Sequence, residues 1–184
     1  MDRTIKLPRK QDVLIYTMGK TWAGHEFRKL HPLGFNICAR WIDLPDILAN
    51  PSDTFSAEIH ADEEYKRKIW DEGCKVDCNA SDMGLLYTQE ADRNMLSGAL
   101  VELGHITADN RPVYILGSSA STEPAGDSDR AWKSQSCVYY WPHIADIKFG
   151  AQKAVEHYIA HYSEQWRERR FLKMRLPDPV RLLR

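Results

Sequence analysis

Short apolar runs alternating with segments of helical period constrain this chain more than any other feature. The run Met83-Gly84-Leu85-Leu86-Tyr87 is almost wholly apolar and too short for a helix, which predicts a central parallel strand covered on both faces. Comparable runs stand at Val13-Leu14-Ile15-Tyr16, Phe35-Asn36-Ile37-Cys38-Ala39, Val113-Tyr114-Ile115-Leu116 and Ser136-Cys137-Val138-Tyr139-Tyr140. Between and after them, apolar residues recur at helical spacing over 25–31, 61–79, 98–108 and 150–170, with Gly73 interrupting the second segment. Residues 45–53 and 117–133 read as loops, rich in breakers and without periodicity. This alternation predicts an α/β fold: a five-stranded parallel sheet, flavodoxin-like or Rossmann-like, with helices on both faces.

A chain of 184 residues fits one core, drawn here as residues 1–150, followed by a C-terminal helix and basic tail over 151–184. That tail holds Arg167, Arg169, Arg170, Lys173, Arg175, Arg181 and Arg184, and reads as a solvated or subunit-contacting extension. With 28% charged residues and a formal net charge of -1, the chain lacks the basic excess of a general nucleic-acid binder. Its cysteines, Cys38, Cys74, Cys78 and Cys137, form no paired zinc-ligand spacing and read as reduced thiols. No apolar run reaches the roughly 20 residues of a membrane span. The expectation is a cytoplasmic protein with neither metal nor cofactor.

Open parallel sheets bind ligands beyond the carboxyl ends of their strands. Ser97-Gly98-Ala99-Leu100-Val101-Glu102-Leu103-Gly104 follows the third strand, so Glu102 falls in the first turns of a helix starting at that edge. There it either reaches a bound sugar or is a surface glutamate of an amphipathic helix. Gly98 suits close approach at the helix start, and Gly104 suits tight packing on the sheet. Gly19-Lys20-Thr21 and Gly117-Ser118-Ser119 are either ordinary turns or phosphate-binding turns. Arg40-Trp41-Ile42-Asp43 offers either an aromatic face and a charged rim for a base, or a tryptophan buried under the long loop.

Several of these segments together resemble the nucleoside 2-deoxyribosyltransferases and the related 2'-deoxynucleoside 5'-phosphate N-hydrolases. The resemblance spans about residues 12–117. It is carried by Tyr16-Thr17-Met18-Gly19, Gly34-Phe35, Ala80-Ser81-Asp82, and above all by the glycine-to-glutamate stretch of 97–104 followed by Arg111-Pro112-Val113. It implies that Glu102 attacks the anomeric carbon of a nucleoside or nucleotide, forming a glycosyl-enzyme ester as the base leaves. It also implies that Tyr16 orients this nucleophile, that an acidic group serves the departing base, and that a homo-oligomer completes the pocket. Thr17, Gly19, Lys20, Ser97, Gly98 and Ser118 become candidate substrate contacts, with Arg40 and Trp41.

Two positions depart from the family. Its aspartate eight residues ahead of Asp82 is Cys74 here, leaving Asp77 or Asp71, one turn to either side, as substitutes. Its acidic or hydroxyl residue six before the glutamate is Leu96, with Asp92 and Ser97 nearby. These departures favour a second reading, a nucleotide-binding sensor or sequestering module without turnover. A third, a NAD-cleaving or NAD-binding protein, lacks a GxGxxG fingerprint after the first strand.

Overall fold

The computed structural model describes residues 6–45, 63–89, 97–117, 136–141 and 143–175. The strands β1 (Leu14–Gly19), β2 (Asn36–Ile37), β3 (Met83–Thr88), β4 (Val113–Gly117) and β5 (Val138–Trp141) form one all-parallel sheet in the order β2-β1-β3-β4-β5. This is the flavodoxin-like order, whose direction of winding reverses between β1 and β3 and opens a crevice at their carboxyl ends.

The helices are α1 (Thr21–Arg28), α2 (Glu63–Lys68), α3 (Lys75–Ala80), α4 (Ser97–Thr107) and α5 (Ile147–Arg175), with a π-helical turn, Ile69–Cys74, joining α2 to α3. Successive strand residues point to opposite faces. Ile15, Leu85 and Tyr114 pack with Phe27 of α1 and Ala151, Val155 and Tyr158 of α5. Tyr16, Leu86 and Ile115 pack with Cys78 of α3 and Leu103 and Ile106 of α4. Both faces are covered, which is why the central runs are apolar without alternation.

Two glycines in the strands set the spacing around the sheet. A Cβ on Gly84 would lie 2.7 Å from Met18 Cε, 3.0 Å from Val113 Cγ2 and 3.1 Å from Ile106 Cδ1, so its absence lets α4 settle onto β1 and β3. Gly117 has φ +102°, and a Cβ there would collide with the Thr88 carbonyl. Gly104, expected to provide tight helix packing, instead faces open space, because its position lies on the outer side of α4. Gly98 is exposed and faces open space as well.

The last helix begins at Ile147 rather than near residue 150, because Asp146 Oδ1 accepts the backbone N–H groups of Lys148 (2.8 Å) and Phe149 (2.9 Å) as an N-cap. A boundary at 150 therefore cuts a helix whose first half belongs to the core. Its basic end is not wholly solvated. Arg169 donates to the carbonyls of Asn79 (3.1 Å) and Ser81 (3.0 Å), and Arg170 to Asp82 Oδ2 (2.9 Å) and Asp12 O (3.2 Å). Asp82 Oδ2 also accepts Leu14 N–H at 2.8 Å, so this buried carboxylate ties the amino ends of β1 and β3 to α5.

The second strand pairs only over Asn36–Ile37, shorter than its apolar run, because the chain then turns into a 3₁₀ segment, Arg40–Asp43. The first helix starts at Thr21, ahead of the expected 25–31, directly after the extended Lys20. Apart from Pro45 and Gly117, the loops expected over 45–53 and 117–133 lie outside the described residues. Among the described residues no helix is long and apolar enough to cross a membrane.

Candidate functional site

The centre of the site is a hydrogen bond across the sheet face. Tyr16 Oη, from the middle of β1, donates to Glu102 Oε1 of α4 at 2.8 Å, although the two residues lie 86 apart in sequence. Gly84 stands beside Tyr16 in the β1–β3 register, and the helix that settles over it carries Glu102 in its second turn. Burial pushes the Glu102 carboxyl up to about 7, against the opposing pull of the hydrogen bond from Tyr16 and of the nearby Cys74 thiol. Tyr16 is fully buried, and that burial, followed by the charge of Glu102, pushes its phenol far above the ordinary range. Tyr16 thus remains a proton donor and cannot compete with the carboxylate for charge.

Cys74, at the end of the π-turn, places a thiol beside the pair. Its thiol is pushed up to about 12, first by burial and then by the Glu102 charge, so it stays protonated. Cys78 is fully buried one turn on, and its thiol is also raised, chiefly by burial. The carboxylate is therefore fixed by the phenol, in an apolar setting that includes Cys74, Ala99 and Leu103.

Cys74 also forms part of the wall of a cavity of about 310 Å³, shared with Arg40, Trp41, Leu44, Tyr65 and Ile69. Trp41 is fixed by an Nε1–H bond to Thr17 O at 2.8 Å and by edge-on packing against Phe27, with ring centroids 6.3 Å apart. It is half-buried, and the loop expected to cover it lies, beyond Pro45, outside the described residues.

The remaining sequence-derived candidates are spread more widely. Asp77 is nearly buried; Arg40 Nε donates to its Oδ1 at 2.9 Å, and Arg40 N–H donates to its Oδ2 at 2.9 Å. This pairing fastens the 3₁₀ segment to α3 and engages both carboxylate oxygens. Asp71 is exposed on the π-turn. Thr17 is buried, and by strand alternation its side chain faces away from Tyr16; only its carbonyl contributes, through Trp41. Gly19 ends β1, where a Cβ would lie 2.9 Å from Tyr87 O, and Lys20 precedes α1. Ser97 and Gly98 open α4. Asp92 and Ser118 lie outside the described residues.

Cys74 is the site residue that sequence reasoning set aside, since a cysteine where the family it resembles carries an aspartate reads as a loss. Gly73 was the available clue, because a glycine inside a helical pattern often marks a local change of pitch, and π-turns recur at functional sites. Compared with protein-family models and with curated protein sequences, the chain has no match.

Proposed function

We propose that this protein cleaves or transfers at the N-glycosidic bond of a (deoxy)nucleoside or nucleoside 5'-monophosphate, with Glu102 as nucleophile. The observation that carries this reading is the 2.8 Å bond from Tyr16 Oη to Glu102 Oε1 beside a cavity at the carboxyl edge of the sheet. A partly desolvated carboxylate with one oxygen fixed keeps its other oxygen for attack. That oxygen forms a bond to the anomeric carbon while the carbon–nitrogen bond breaks, its electron pair leaving with the base, which takes up a proton. Water, or a second base, then attacks the same carbon and releases Glu102. Hydrolase and transferase differ only in that acceptor.

A second reading rests on the acid. Among the described residues, Asp77 is engaged by Arg40, Cys74 holds its proton up to about 12 and Asp71 is exposed, none of which suits proton delivery to a departing base. Asp92 is the remaining candidate for that role. Without an acid, the protein would be a nucleotide-binding module.

Purified protein incubated with ribo- and deoxyribonucleosides, their monophosphates and NAD, with and without a second free base, separates these readings. Base release or exchange that disappears in Glu102→Ala supports the enzyme; binding without release supports the module. We further place the protein in the cytoplasm, since no disulfide joins its four cysteines. We also propose self-association, as in the enzymes it resembles; a sedimentation measurement returning only monomer contradicts that part.

A further inference from the structure

The cavity wall is mainly hydrocarbon, and several of its polar groups are engaged elsewhere. Trp41 spends its single donor on Thr17 O at 2.8 Å. Arg40 gives Nε to Asp77 at 2.9 Å and Nη2 to Glu72 O at 2.6 Å, so the charged rim expected beside the tryptophan is used to hold the backbone. Leu44 and Ile69 offer hydrocarbon side chains, Tyr65 adds an aromatic ring with one hydroxyl, and the Cys74 thiol keeps its proton beside Glu102. The charges of Lys68 and Glu72 stand at exposed residues of the wall, where water solvates them.

A pocket of this kind discriminates in one direction. A ligand whose edge carries carbonyl or N–H groups loses its water against this mainly hydrocarbon wall and gains few partners, whereas an apolar aromatic edge loses nothing. Sites that read a polar edge reject analogues lacking it; this cavity has the opposite bias. We propose that the cavity is the site of the leaving group and that it selects a bicyclic aromatic heterocycle with an apolar six-membered edge, against bases bearing oxo and N–H groups there. This assignment rests on the glycosidic reading for the word leaving group, and on the cavity walls alone for the selectivity. Cys74 connects the two, being both a wall of the cavity and a neighbour of the Tyr16–Glu102 pair.

Benzimidazole, purine and hypoxanthine share one ring skeleton and add polarity stepwise to the six-membered edge. Calorimetric titration of each into the full-length protein is expected to give affinities falling in that order, by at least tenfold from first to last. Trp41→Ala should weaken benzimidazole binding at least tenfold. Ile69→Asn, at a half-exposed wall position, should narrow the gap between benzimidazole and hypoxanthine without loss of fold, as read by circular dichroism. Equal or tighter binding of hypoxanthine, no binding of any of the three, or a gap unchanged in Ile69→Asn would overturn the proposal. Because these titrations need no turnover, a chain that binds as expected yet releases no base defeats the glycosidic reading alone. Turnover that favours hypoxanthine nucleosides defeats the selectivity alone.

Discussion

Glu102 carries both a kinetic and a thermodynamic signature. A nucleophilic carboxylate acts only when ionised, so with its pKa at about 7 the value of kcat/KM should rise with pH up to about 7 and level off above it. Tyr16→Phe removes a hydrogen bond that favours the ionised form, and Cys74→Ala a neighbouring thiol that acts in the same direction; each should move that limb to higher pH. The stability effect has the opposite sign to that of an ordinary paired carboxylate. Raised above its unfolded value of about 4.5, Glu102 makes the native state bind more protons between pH 4.5 and 7, so stability falls with rising pH across that window. Above pH 7 the cost is complete, up to about 3 kcal/mol. Glu102→Gln should therefore stabilise the protein at pH 8 and have little effect near pH 4, as read by denaturant titration. Equal effects at both pH values would contradict a desolvated carboxylate.

At the scale of elements, α4 is the part whose seating decides the site. Gly84 has no room for a Cβ beneath Ile106, so Gly84→Val should cost about 1–3 kcal/mol from overpacking and lift α4 away from Tyr16, lowering turnover beyond what the stability loss explains. A variant with near-native kcat would show that the helix does not need this seat. The strands and the order of the sheet were legible because central parallel strands have no alternative to continuous apolar runs. The juxtaposition of Tyr16 with Glu102 was legible only through the family resemblance, since their contact is a matter of tertiary register. Cys74 was not legible, because a π-turn shifts residues around the helix axis relative to the 3.6 spacing used to assign faces. Gly104 was misread for a related reason: from sequence, it is hard to tell which side of a short, mostly apolar helix faces the sheet. The start of α5 was marked in the sequence by Asp146, a capping residue.

For the whole molecule, the two ends of the sheet have different roles. The amino edge is tied by Asp82, Arg169 and Arg170, and by Arg111, which is fully buried and donates to the carbonyls of Cys78 and Ser81. The carboxyl edge holds the cavity and Glu102. Arg111→Met should thus destabilise the fold by about 3–5 kcal/mol, by stranding buried acceptors, while leaving ligand selectivity unchanged in the protein that remains folded. Part of the aromatic stripe of α5 is spent within the chain. Tyr158 is fully buried and Trp166 donates to Asp12 O at 3.2 Å.

The central claim is that Glu102 becomes covalently attached to the sugar. The most direct measurement is peptide mass spectrometry of protein quenched with acid during turnover of the best substrate in the nucleoside and nucleotide panel. The account predicts a glycosyl adduct on the peptide containing Glu102, absent in Glu102→Ala. Turnover that persists in Glu102→Ala, or an adduct on any other carboxylate, would contradict it.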